Sequence, residues 1–113
     1  MKRLRRSVFL YVEDELQAYH ETLRELETLP ERIGVALEVS RRQERMQSIT
    51  RSIGSVVEGL SAEKLELVRL MYWSRPRRYT WDGLAMQINV TRRTAFRWRR
   101  EILCAIATRA GLA

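Results

Sequence analysis

A chain of 113 residues is long enough for one compact domain with an appended helical element and too short for two ordinary domains. Charged residues at 31% and hydrophobic ones at 45%, with five Gly and two Pro, describe a folded, mostly helical protein and exclude a disordered one. The single Cys104 and single His20 exclude an internal disulfide and a Cys/His zinc spacing, and no run nears the roughly 20 apolar residues of a membrane span.

The basic start MKRLRR is followed by Glu13, Asp14 and Glu15 before any long apolar run, which is not the pattern of a signal peptide. The expectation is a cytoplasmic protein with no membrane association, no metal and no cofactor. Its formal charge of +7 is unevenly placed: residues 1–73 hold 12 Lys/Arg and 12 Asp/Glu, whereas residues 74–113 hold nine arginines against Asp82 and Glu101. An excess gathered into the last third of a chain is the electrostatic footprint of a module that binds a polyanion.

From the N-terminus, Phe9, Val12, Leu16, Tyr19, Leu23 and Leu26 recur at three- and four-residue spacing and predict one amphipathic helix over about residues 3–27. Thr28, Leu29 and Pro30 interrupt it, and Pro30 suits the first position of a short helical segment carrying Ile33 and Leu37. Apolar spacing lapses over residues 38–45 except at Val39, while Ser40 and Gln43 read as a capping box, so a break is expected near Val39. Met46, Ile49, Ile53, Val56 and Leu60 then form a second stripe, which packs on the first as a helical hairpin or serves as a dimer interface.

Ser61 caps a further helix over 62–73, central in the fold, with Leu65, Val68, Leu70, Met71 and Tyr72 apolar on more than one side. A loop over 74–79 contains Pro76 and three arginines. Thr80 then caps a short helix with Leu84 and Ile88 facing inward and Ala85 small enough for a close helix crossing. Asn89 tolerates the positive φ that the following turn requires, and Val90 plugs the space between helices. Thr91 caps a second helix whose Ala95, Trp98, Ile102 and Ile106 face inward, leaving Arg93, Arg97 and Arg100 on the opposite face.

Those features predict an all-α protein: helical residues 1–60 for self-association or partner contact, then a helix-turn-helix over 61–113 that binds double-stranded DNA. Arginine pairs its donors with O6 and N7 of guanine, and threonine meets a thymine methyl or a phosphate. Thr91, Arg92, Arg93, Thr94 and Arg97 are therefore assigned to base edges, and Arg75, Arg77, Arg78, Thr80, Arg99 and Arg100 to phosphates. A solvated face ordinarily mixes signs, yet residues 92–100 hold five arginines and no acid. Trp73, Trp81 and Trp98 read as core, His20 as a surface residue and Cys104 as a small filler. With no paired carboxylates and no nucleophile beside a base, the chain does not read as an enzyme.

The run VTRRTAFRWRREIL resembles the last helix of region 4 of bacterial sigma factors, which reads the promoter −35 element. The longer stretch LVRLMYWSRPRRYTWDGLAMQINVTRRTAFRWRREILCAIATRAG is similar to the C-terminal part of the RinA-type phage late-gene transcriptional regulators, whose DNA-binding end is sigma-like. The combination of YW, a Pro loop, TWDGLA, VTRRTA and RWR-EI carries this resemblance, which spans about residues 49–112. Members of that family often have a Gly-rich insert between the two halves; this chain has only residues 38–45 there.

What the resemblance implies is a sequence-specific activator of phage structural or packaging genes, working with host RNA polymerase in the bacterial cytoplasm. The alternative is a phage small terminase subunit that grips packaging-site DNA and assembles into a ring. A third reading is an interaction protein whose basic end binds RNA or an acidic partner.

Overall fold

A computed structural model of the chain describes residues 3–28, 37–74 and 79–113. These form six α-helices: α1 (Arg6–Gln17), α2 (Tyr19–Thr28), α3 (Leu37–Glu58), α4 (Ala62–Val68), α5 (Trp81–Gln87) and α6 (Arg92–Arg109). The helix α4 runs on without interruption into a wider π turn, Arg69–Trp73. Among the described residues there is no strand, and no helix is long and apolar enough to cross a membrane.

The first amphipathic stripe is divided where a single helix was expected. The helices α1 and α2 meet at Ala18, whose φ of −88° and ψ of 4° leave the helical region. Neither Gly nor Pro stands there. The main-chain carbonyl of Leu16 instead accepts the indole N–H of Trp73 at 2.9 Å, and a side chain entering the i to i+4 ladder is an established cause of a kink. Along the stripe, Val12 and Leu16 are fully buried, while Phe9 and Tyr19 are half-buried against them.

In α3 the expected break near Val39 does not occur: the backbone is helical from Leu37 to Glu58, so Ser40 is not a cap. Residues 37–53 contain neither Gly nor Pro and are rich in Arg, Gln and Glu, all good helix formers, so a lapse in apolar spacing does not stop the helix. Pro30 and Ile33 lie outside the described residues, and Leu37 begins α3 itself. Ile49, Ile53 and Val56 are buried as their spacing predicts. The backbone of α3 comes close to Tyr19 at Gly54, where an added Cβ would meet the Tyr19 hydroxyl at 3.0 Å.

Ser61 caps α4 by accepting the Lys64 N–H at 3.3 Å. At its far end the Ser74 hydroxyl donates to the Arg69 carbonyl at 2.9 Å, satisfying a group that the end of the helix leaves without an intrahelical partner. Leu67, Val68, Met71 and Tyr72 turn into the centre of the molecule.

All these buried side chains belong to one cluster, which draws on both sides of residue 60. Val12 and Leu16 of α1 and Ile49, Ile53 and Val56 of α3 share it with Leu84, Ala85, Ala95, Ile102, Leu103, Ile106 and Ala107. Leu16, Ile53, Leu67, Leu84, Leu103 and Ile106 are each under 2% exposed. Burial of such a side chain is worth about 1.5–3 kcal/mol. The helix α6 packs against α1, α3 and α5, so the arginine-bearing helix is held from three sides.

Candidate nucleic-acid interface

The unit formed by α5 and α6 is built from two caps and one turn. The Thr80 hydroxyl accepts the Gly83 N–H at 3.1 Å and starts α5. Within α5, Leu84 is fully buried, Ala85 is 3% exposed and Ile88 is half-buried. The helix ends in a Schellman turn: the Asn89 N–H reaches the Met86 carbonyl at 3.2 Å and the Val90 N–H reaches Ala85 at 2.9 Å. Asn89 has a φ of 61°, and Val90 packs against the core.

The chain then enters α6 through Thr91, which has extended backbone angles and accepts the Thr94 N–H at 3.1 Å. The Thr91 hydroxyl also donates to that of Thr94 at 2.9 Å. Both hydroxyls therefore serve the cap, with Thr91 exposed and Thr94 half-buried.

Side chains of α6 sort by rotation, at roughly 100° per residue. Ala95, Ile102 and Ile106 are buried, and Trp98 borders them, half-buried. Arg93, Arg97 and Arg100, at spacings of four and three, form an exposed stripe on the far side. Arg93 and Arg100 make no ion pair among the described residues. The Nε of Arg97 lies 3.8 Å from Glu101, and the Arg97 side chain is 65% exposed. Glu101 also receives Lys64 at 3.1 Å, so its charge is shared. Exposed pairs of this kind are weak, which leaves Arg97 free to exchange partners.

A neighbouring stripe of Arg92, Phe96 and Arg99 faces α5. Arg92 spans the two helices, its Nε 3.3 Å from Asp82 and its guanidinium 5.2 Å from the centre of the Phe96 ring. The Trp81 ring packs on Phe96 with centroids 5.3 Å apart. Trp73, Trp81 and Trp98 are all partly buried against the core, and His20 is exposed, edge-on to Trp73.

Arg99 departs from the role its sequence position predicts. Its Nε and Nη2 donate to the two carboxylate oxygens of Glu13 at 2.8 and 2.9 Å, and only 21% of its side chain is exposed. The guanidinium lies 4.8 Å from the Phe9 ring centre and 5.0 Å from that of Trp81. A phosphate ligand needs free donors, so Arg99 leaves the phosphate set. Tyr72 completes the group by donating its hydroxyl to Glu13 at 2.5 Å. Burial first, and then the bond to Glu13, push the Tyr72 phenol far above its ordinary range. Burial pulls the Arg99 guanidinium down, but the bond and charge of Glu13 outweigh it and hold the group above the usual arginine value.

Helical spacing carried a signal for Arg99, which stands four residues after buried Ala95 and three before buried Ile102. Its acidic partner Glu13 carried the same signal, four residues after Phe9 and three before buried Leu16, but nothing that paired the two. Arg75, Arg77 and Arg78 lie outside the described residues, while Thr80 is exposed at the α5 cap. Among the described residues no three His, Cys, Asp or Glu side chains converge as a metal site requires.

No family model, curated protein or solved structure matches this chain. The site consists of an exposed arginine stripe on a helix held from three sides, entered through a tight turn from a short helix beneath.

Proposed function

We propose that the chain is a sequence-specific double-stranded DNA-binding transcriptional regulator that lays the start of α6 in the major groove. The observation that carries this reading is the stripe of Arg93, Arg97 and Arg100, exposed on a helix whose other faces are fastened to α1, α3 and α5. Fixed donors of this kind suit the paired acceptors of guanine. In this reading Arg93, Thr94 and Arg97 face base edges, with the methyl of Thr91 beside them, and Arg92, whose side chain is 65% exposed, joins them by exchanging its weak pair with Asp82. Arg100 and Thr80 meet phosphates, and Arg75, Arg77 and Arg78 are proposed for the same task.

Selection of bound duplexes from a random pool tests the proposal, with a defined consensus expected. Replacing Arg93 or Arg97 by Ala is expected to cost roughly 1–3 kcal/mol and to relax preference at one base position. Unchanged duplex binding in the double variant, with complete competition by RNA, would overturn it.

The resemblance to the RinA-type regulators extends the proposal to activation of phage late genes with host RNA polymerase, and self-association through the N-terminal helices belongs to the same reading. A footprint upstream of a phage operon and polymerase-dependent transcription in vitro are the expected results. Equal affinity for random DNA would defeat the regulatory reading.

A further inference from the structure

Phe9 and Glu13 of α1 meet Tyr72, Trp81 and Arg99, from three later segments of the chain, at one point. The two bonds from Arg99 to Glu13 form a fork, and a fork fixes a planar guanidinium in rotation as well as in distance. The rings of Phe9 and Trp81 lie close to the same guanidinium, and Tyr72 holds the carboxylate from the π turn. One side chain of α6 is thereby tied to α1, to the start of α5 and to the segment that precedes it.

We propose that Glu13 and Tyr72 are positioning residues for DNA reading: by clamping Arg99 they set the rotation of α6 about its axis, and with it the direction of Arg93 and Arg97. This rests on the DNA-binding reading above. It makes α1 a specificity-determining part of the reader.

The geometry gives the clamp its leverage. An arginine extends its guanidinium well beyond the helix radius of about 2.3 Å, so turning α6 by roughly 20° displaces the donors by about 3 Å. Hydrogen bonds do not survive such a displacement, since useful N···O distances span only about 2.7–3.2 Å. A bidentate contact with guanine is thus more sensitive to the seating of α6 than a phosphate contact, which a long flexible side chain can follow.

Electrostatics alone predicts a different result. Removing the negative charge of Glu13 raises the net charge and releases Arg99, which would strengthen binding to any DNA and steepen its salt dependence. Positioning predicts instead a loss of discrimination.

The test uses the full chain with Glu13→Gln and Tyr72→Phe, a selected duplex and a scrambled one, titrated across salt at a temperature where circular dichroism shows each variant folded. The ratio of the two affinities is expected to fall at least fivefold in Glu13→Gln, comparable with losing one bidentate base contact. A fall of two- to threefold is expected in Tyr72→Phe, with the slope of log K against log salt within about half a unit of the parent. An unchanged ratio in folded Glu13→Gln would overturn the proposal, as would a slope steeper by about one, which would make Arg99 a phosphate ligand held in reserve. Should Glu13→Gln not fold, Tyr72→Phe and Arg99→Lys decide the matter on the same ratio. A parent protein that does not distinguish the two duplexes would overturn the DNA reading itself, an outcome separate from the others.

Discussion

Asn89 offers the sharpest test of how the α5–α6 turn is built. At φ 61° it is the one described residue other than glycine in the left-handed region, where a Cβ crowds the following carbonyl. That crowding costs roughly 1–2 kcal/mol for a residue other than Gly or Asn, and a β-branched side chain falls at the upper end. The turn cannot relax to avoid the cost, because the bonds from Asn89 and Val90 to Met86 and Ala85 close it and Val90, partly buried, packs against the core. Asn89→Val is therefore expected to destabilise the protein by about 2 kcal/mol and Asn89→Ala by about 1 kcal/mol. Asn89→Gly relieves the Cβ but frees the unfolded chain by roughly 0.5–1 kcal/mol, so its net effect is close to zero. At about 4 °C per kcal/mol for a chain of this size, thermal melts should place Val about 8 °C below the parent and Gly within about 2 °C of it. If Gly fell as far as Val, or if Val melted with the parent, the left-handed conformation would not be what selects this residue.

Further outcomes follow from burial, capping and charge. Leu103 is fully buried, so Leu103→Ala is expected to cost about 3–5 kcal/mol and to lower the urea midpoint with little change in slope. Thr91→Ala, which removes the acceptor for the Thr94 N–H, should cost about 1 kcal/mol in the same assay, and Thr91→Ser only a few tenths. Burial first, and the charge of Asp14 second, raise the Glu15 carboxyl above its ordinary range. The folded state then holds that proton more tightly than the unfolded one, and the stability it confers is lost as pH rises from the unfolded value through the folded one. Glu15→Gln should accordingly melt above the parent at neutral pH, with the gap closing under acid conditions; a gap that does not vary with pH would refute this. Light scattering is expected to return one or two chains of 13.4 kDa, whereas a ring of eight to twelve would move the functional reading to DNA packaging.

The elements legible in the sequence were those governed by local chemistry. Ser61, Thr80 and Thr91 cap helices because a hydroxyl before a helical run meets donors two or three residues ahead, wherever the helix then packs. Asn89 was legible for a similar reason, since few residues accept a positive φ. Readings that depended on distant partners departed from expectation. The kink at Ala18 follows from the indole of Trp73, 55 positions away; residues 37–53, by contrast, stay helical because their local propensity outweighs a lapse in the apolar period.

The site shows the same division. Summing charge along the chain located the arginine excess, but a sum over a stretch treats every arginine as facing the same way. Arg93, Arg97 and Arg100 do share an exposed face, whereas Arg99 turns toward a carboxylate 86 positions earlier, in a segment whose charges cancel. Glu13 stands in a run of three acids, Glu13, Asp14 and Glu15, and nothing in that run names Arg99 as its partner. Only the fold brings Glu13 to α6. A basic cluster on a helix therefore has two parts to separate: the arginines available to an external anion and those already matched by an internal one. In this protein Arg99, whose match with Glu13 is shielded where those of Arg92 and Arg97 are exposed, touches three other structural elements, which is why its loss should change how DNA is discriminated more than how strongly DNA is held.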